Sequence, residues 1–297
     1  MAALLSLHTI SKLQANLSTS RVTVKPRAAL HGAQRMRVPY ELKQEQSRLF
    51  HQLPSGLNME VIVQKGVAEK ESDEKKERTS ENPPLVFVHG SYHAAWCWAE
   101  HWMPFFSASG YDCYAVSLLG QGESDAPSAS VAGTLQTHAS DVADFICKKL
   151  TFPPVLIGHS FGGLIIQYYI ANAKPDQFLD MRDFFPELTG AALVCSVPPS
   201  GNSYQELIKK SSRIPLFDLR KLNAALPVPS VPKSAIELLV LGANDDFIVD
   251  AEGLKETGRF YGVSPICVEA VAHDMMLDCL WDKGAKVILS WLKDLKK

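Results

Sequence analysis

Along most of the chain, short unbroken apolar runs take turns with longer stretches in which apolar positions recur every three or four residues. PLVFVHG (84–90), YDCYAVSLLG (111–120), PPVLIGHS (153–160), LTGAALVCSVPPSG (188–201), IELLVLG (236–242) and PICVEAVAHD (265–274) lack the apolar–polar alternation of a half-solvated strand. Runs of this kind belong to strands covered on both faces. GLNMEVIVQKG (56–66) reads as a first strand ahead of them. Helical spacing marks WAEHWMPFFSASG (98–110), TLQTHASDVADFICKKL (134–150), FGGLIIQYYIANA (161–173) and GAKVILSWLKDLKK (284–297). The second of these ends on lysines, which suit a helix C-terminus. Strands that alternate with helices predict an α/β fold: a mostly parallel central sheet with helices on both faces. VAEKESDEKKERTSENPP (67–84) is charged or turn-forming almost throughout and reads as a solvated loop.

Composition narrows the class without naming the chemistry. Of 297 residues, 46% are hydrophobic and 21% charged, enough apolar mass for one sizeable core. The formal net charge of -2 and the absence of a basic stripe argue against a nucleic-acid partner. Every long apolar run is broken by His, Ser, Gly or Pro before it reaches membrane-spanning length. The six cysteines form no C-x-x-C pair, and Cys113, Cys195 and Cys267 fall inside strand-like runs. They are expected to be buried free thiols in a reducing compartment. No H-E-x-x-H or similar ligand cluster points to a metal, and no cofactor is implied.

The first forty residues differ from the rest. They contain no Asp or Glu, carry Lys12, Arg21, Lys25, Arg27, Arg35 and Arg37, and are rich in Ser, Thr and Ala. That is the composition of an organelle transit peptide. The opening MAALLSL and the hydroxyl content favour a chloroplast, stroma first, over a mitochondrion. Residues 1–55 are therefore set apart as a leader, and 56–297 as one domain.

The chemistry concentrates at VLIGHSFGGLII (155–166), where Gly158-His159-Ser160-Phe161-Gly162 joins a buried strand to a helix. Ligands gather at the carboxyl ends of parallel strands. A sharp turn there lifts the Ser160 side chain out of the fold and draws Gly158 and Gly162 together. The following helix turns its free N–H groups toward the same place. This matches a nucleophile elbow. A serine hydroxyl needs a base, for which the late His273 is the candidate. A buried carboxylate would orient that base, and Asp245 and Asp246 both follow a strand.

With FVHGSYHAAWCW, LLGQGESDAP, IGHSFGGL and LGANDDFIVD…VAHDMML in that order, the sequence resembles the α/β-hydrolase superfamily over roughly residues 56–297. HGSYHAAWCW is also similar to plant methylesterases and hydroxynitrile lyases of that superfamily. The resemblance implies an α/β-hydrolase fold with Ser160, Asp246 and His273 as nucleophile, acid and base. Asp246 is preferred because it stands directly before the apolar Phe247-Ile248-Val249, as the family's acid does; Asp250 then suits a helix cap. It implies an oxyanion hole from the backbone N–H groups of Ser91 and Phe161. His89 is expected to stabilise its loop and His159 to pack or shape the pocket. Trp96, Trp98 and Trp102 are expected in the core.

The family inserts a cap before the strand that carries the acid. Here the interval is residues 200–235, a short cap with LFDLRKLNAAL as one helix, YQELIKKS as another and a proline-rich extended end. The expected activity is hydrolysis of a small-molecule or lipid-like carboxylic ester or thioester through an acyl-enzyme. A cofactor-free lyase or perhydrolase, or a ligand-sensing receptor of the same fold, are the alternatives.

Overall fold

The computed structural model describes residues 39–67, 82–129, 131–173, 185–201, 216–232 and 236–295. In chain order the strands are β1 (Gln46–Gln52), β2 (Asn58–Gln64), β3 (Leu85–Val88), β4 (Cys113–Val116), β5 (Val155–His159), β6 (Gly190–Val194), β7 (Leu238–Ala243) and β8 (Ile266–Val268). The helices are α1 (Trp96–Ala99), α2 (Trp102–Ala108), α3 (Leu135–Lys149), α4 (Phe161–Asn172), α5 (Leu219–Ala225), α6 (Ala251–Tyr261) and α7 (Trp281–Asp294). The strands form one sheet in the order β1-β2-β4-β3-β5-β6-β7-β8. The β1–β2 and β2–β4 pairs are antiparallel and the rest parallel.

β3, β4, β5 and β6 are buried at every position, which is why their sequences run apolar without alternation. One face of the sheet carries a core with Val142, Phe145, Leu164 and Tyr169 from α3 and α4. The other carries Trp98, Trp102, Met103 and Phe106 with Ile288 and Leu292 of α7. Trp98 and Trp102 are thus core residues, and Trp96 packs against them from a partly buried position. α3 starts at a reciprocal cap, the Thr134 hydroxyl accepting from the Thr137 N–H while the Thr137 hydroxyl accepts from the Thr134 N–H. Asp250 caps α6 by accepting from the Gly253 N–H at 2.9 Å. No helix among the described residues is long and apolar enough to cross a membrane.

Three expectations need correcting. The sheet begins before residue 56, because Gln46–Gln52 pairs along its whole length with Asn58–Gln64. The compact body starts at Pro39, and Tyr40 and Lys43 both bond to Glu100. The single helix expected over 98–110 is two, broken at Glu100 and His101. Pro104 explains the break. In a continuous helix it would have no N–H to offer the Glu100 carbonyl, and its ring would strike that carbonyl. In α2 it sits in the first turn, where the missing N–H costs nothing. Last, Cys267 is exposed, since β8 is a short edge strand; Cys147 and Cys279 are exposed as well, while Cys97, Cys113 and Cys195 are buried. All six are free thiols.

Of the cap interval, Phe217 and α5 are described, and YQELIKKS lies outside the described residues. Asp218 opens α5 by accepting from the Arg220 and Lys221 N–H groups. The Phe217 ring lies 5.1 Å from that of Phe161, centroid to centroid, which seats the cap against the start of α4.

Candidate active site

The turn between β5 and α4 puts Ser160 at φ 54°, ψ -118°, a region that a residue with a β-carbon rarely adopts. Such strain costs about 1–3 kcal/mol and persists only where surroundings hold it. Here the Ser160 N–H donates to the Val194 carbonyl of β6, and its own carbonyl accepts from the Gly163, Leu164 and Val197 N–H groups. A β-carbon on Gly158 would come within 2.7 Å of the Gly162 carbonyl group, the approach expected from the sequence. Gly162 is constrained by something else as well: its β-carbon would collide with the Val88 and His89 carbonyls at the end of β3. The elbow is therefore wedged against the neighbouring strand.

Asp246 leaves β7 on a turn and turns its side chain inward, fully buried. Its Oδ1 accepts from the Ile248 and Val249 N–H groups at 2.7 and 2.8 Å. Its Oδ2 lies 2.8 Å from His273 Nδ1. A carboxylate only accepts, so Nδ1 carries the imidazole proton and Nε2 keeps a lone pair, the tautomer a general base requires. Asp245 points elsewhere: its Oδ1 accepts from the Asn244 side chain at 3.2 Å, and its N–H donates to the Val271 carbonyl.

Cys195 joins this pair unannounced by the sequence. It follows β6 in a left-handed conformation, φ 44°, fully buried, with its N–H on the Leu241 carbonyl. Burial pushes its thiol well up, and the charge of Asp246 and a side-chain hydrogen bond to it act in the same direction. The group stays a thiol, its sulfur within 4.8 Å of a carboxylate oxygen of Asp246.

On the β3 side, His89 is buried and adopts one neutral form. Its Nε2 accepts from the Leu118 N–H at 2.9 Å, so Nδ1 carries the proton and donates to the Gly90 carbonyl at 2.7 Å. Burial pulls it down to about 3. It holds the loop that carries Ser91 and has no proton to exchange near neutral pH. The backbone N–H groups of Ser91 and of Phe161, the first residue of α4, enter no hydrogen bond among the described residues.

The structure brings these pieces together around His159. A β-carbon on Gly90 would lie 2.8 Å from Ser160 Cβ and 3.2 Å from His159 Nδ1, so the Ser91 loop packs directly on the elbow. The His159 ring is 4.6 Å from that of His273. The Ser160 hydroxyl makes no hydrogen bond among the described residues, to His273 or otherwise; such contacts are often loose before substrate arrives. Among the described residues, His159 Nδ1 is buried without a partner, which costs about 1–3 kcal/mol. Two groups among the described residues bring possible metal-ligand atoms within 4.8 Å of one another, His93–His159–Asp274 and Cys195–Asp246–His273. The second is the acid–base pair itself. In the first, His159 Nε2 is already engaged, 2.9 Å from the His273 carbonyl oxygen. His93, Cys195 and Asp274 had no sequence signal beyond their nearness to the motifs.

A strained serine, an imidazole bonded through Nδ1 to a buried carboxylate, and two N–H groups that enter no hydrogen bond among the described residues are the parts that acyl transfer uses. Residues 85–280 match the family model described as "Alpha/beta hydrolase family". Over 116 residues the chain is 35% identical to a non-heme chloroperoxidase of Streptomyces lividans, 39% of this chain and 37% of that protein. Over 85 residues it is 38% identical to methylesterase 1 of Arabidopsis thaliana, 27% of this chain and 30% of that protein. The chain thus matches under two fifths of the length of these relatives. Among solved structures, an epoxide hydrolase from Vigna radiata superposes with a TM-score of 0.62 at 17% identity, covering 84% of this chain and 98% of that one.

Proposed function

The chain belongs to the alpha/beta hydrolase family, and on that footing we propose that it is a serine hydrolase that cleaves a carboxylic ester or thioester through an acyl-enzyme. Ser160 Oγ attacks the carbonyl carbon as His273 Nε2 takes its proton. The oxyanion is received by the Ser91 and Phe161 N–H groups. Collapse of the intermediate expels the alcohol or thiol, which leaves with the proton held by His273. Water, deprotonated by the same nitrogen, then attacks the acyl-Ser160 ester; His273 returns that proton to Ser160 Oγ as the C–O bond breaks, and the acid departs. Asp246 stabilises the imidazolium in both halves.

The observation that carries this reading is the 2.8 Å pair of Asp246 and His273 beside a serine held at positive φ. Serine at the elbow argues against epoxide opening by a carboxylate nucleophile, although the fold is shared with an epoxide hydrolase. The likeness to a plant methylesterase supports a small ester. Phe161, Leu216 and Phe217, packed beside the elbow, support an apolar acyl group. A perhydrolase reaction on the same residues is the second reading, favoured by the likeness to the chloroperoxidase. The acid-free leader supports import into the chloroplast. The test is fluorophosphonate labelling together with turnover of p-nitrophenyl esters of graded chain length, with and without peroxide. Labelling and hydrolysis support the ester reading; turnover that appears only with peroxide supports the second; neither sinks both.

A further inference from the structure

His93, His159 and Asp274 lie outside the Ser160–His273–Asp246 set yet touch it from several sides. His159 closes β5, one residue before Ser160. Its Nε2 is 2.9 Å from the backbone carbonyl oxygen of His273 and 3.7 Å from Asp274 Oδ1. Both are acceptors, so Nε2 carries the proton and donates. His93 belongs to the Ser91 loop. Its Nδ1 is 2.9 Å from the Ser91 carbonyl oxygen and its Nε2 is 3.5 Å from Asp274 Oδ2, so the ring spans these two acceptors. The His93 and His159 rings meet edge to face at 5.8 Å. Asp274 is thus held between two imidazoles, one from the oxyanion loop and one from the nucleophile strand, and it is the residue directly after His273.

We propose that His93, His159 and Asp274 form a bridge that positions the base, tying the backbone of His273 to the nucleophile strand and to the loop that offers the Ser91 N–H. The loop of His273 needs such a tether. It follows β8, a three-residue edge strand. Its other described bonds run within itself, back to the turn after β7 or to α7: Met275 N–H to the His273 carbonyl, Ala272 N–H to Asp278, the Asp245 N–H to the Val271 carbonyl, and Lys283 Nζ to the Glu269 carbonyl. Asp246 fixes the imidazole from the β7 side and sets its tautomer. The His159 N–H fixes the main chain from the β5 side, so ring and backbone are held independently. The unpartnered, buried His159 Nδ1 fits this role. An aliphatic side chain would fill the same space with no orphan nitrogen, but it would offer no Nε2–H.

These are positioning residues, and the inference rests on the serine-hydrolase reading. The test uses the full chain with p-nitrophenyl acetate. His159→Phe keeps a buried ring and donates nothing; His159→Gln keeps an N–H donor. His159→Phe is expected to lower kcat about 10–100-fold, because a displacement of about 1 Å can cost that much, with KM within about twofold. His159→Gln is expected to recover most of the loss, and His159→Phe with Asp274→Asn to be no worse than His159→Phe alone. A kcat within twofold of the parent, a loss confined to KM, or Gln as poor as Phe would overturn the bridge. Should His159→Phe not fold, Asp274→Asn decides, since that side chain is half exposed: a fall in kcat of about threefold or more is expected, and no change overturns. If the parent chain neither labels nor hydrolyses, the hydrolase reading fails by itself. The bridge is then read from the histidine ¹⁵N spectrum: His159 as the Nε2–H tautomer supports it, and the Nδ1–H tautomer overturns it.

Discussion

Replacing Asp246 with Asn tests the acid–base pair with almost no change of shape. The new amide has two orientations. In one, its oxygen keeps the Ile248 and Val249 N–H bonds that Oδ1 accepts at 2.7 and 2.8 Å, and its NH₂ faces His273. In the other, NH₂ confronts two backbone donors, and the buried Val249 N–H and the partly buried Ile248 N–H lose their acceptor. At about 1–3 kcal/mol for the Val249 N–H alone, the second orientation is disfavoured by at least that much. The first therefore prevails, and its NH₂ requires His273 Nδ1 to accept. The imidazole proton moves to Nε2, and the base has no lone pair to offer Ser160. A tautomer error of this kind costs about 10⁴ in kcat, or about 5.4 kcal/mol at 1.36 kcal/mol per tenfold. Asp245→Asn leaves these bonds in place and is expected to cost less than about threefold. Steady-state turnover of p-nitrophenyl acetate, with circular dichroism to confirm folding, compares the two. An Asp246→Asn enzyme within tenfold of the parent, or an Asp245→Asn enzyme that is the more damaged, would refute the reasoning.

Ser160→Ala is expected to abolish fluorophosphonate labelling and to lower turnover by about 10⁴–10⁶; adducts that persist on another serine count against it. Burial holds His89 at about 3 and His138 at about 4, below the free value of 6.5. The stability each contributes is therefore fully present above pH 6.5 and is lost as pH falls through that value toward 4, by about 1.4 kcal/mol per pH unit for each histidine. Urea midpoints should fall from pH 7 to pH 5, and His138→Gln should flatten that fall; an unchanged slope excludes His138 as a contributor. A chain begun at Pro39 should melt like the full chain, whereas one begun at Gly56 loses β1, uncovers β2 and strips Glu60 of Arg48, 2.6 Å away, so it should express insolubly. If the leader is a transit peptide, N-terminal sequencing of protein from chloroplasts should find a start before Pro39, and an intact Met1 in the cytosol would count against import.

The interior strands were legible because they are buried on both faces. LVFV and CYAV are unbroken apolar runs too short for helices, bounded by Pro84 and His89 and by Asp112 and Ser117. β1, QSRLFHQ, was not legible, since this edge strand carries only Leu49 and Phe50 as apolar positions and borrows its register from β2. Pro104 did carry the signal for the break between α1 and α2, but the apolar spacing across it masks that signal. At the site, the choice of Asp246 over Asp245 rests on the family resemblance, in which the acid stands directly before an apolar run; the residues alone left both open. The placement of His93, His159 and Asp274 depends on three segments meeting at the ends of different strands. No local pattern encodes that meeting. Cys195 is a similar case, aimed at Asp246 by a positive φ that nothing in VCSV announces.

The central claim, an acyl-enzyme on Ser160, is tested most directly by mixing the protein with p-nitrophenyl acetate, quenching in acid within milliseconds to seconds, and mapping the digest by mass spectrometry. The account requires an acetyl group on the peptide that contains Ser160. That group should appear with the burst of p-nitrophenol and be absent from Ser160→Ala. An acetyl group found on exposed Cys267 or Cys279 instead, or turnover with no adduct at any quench time, would contradict it.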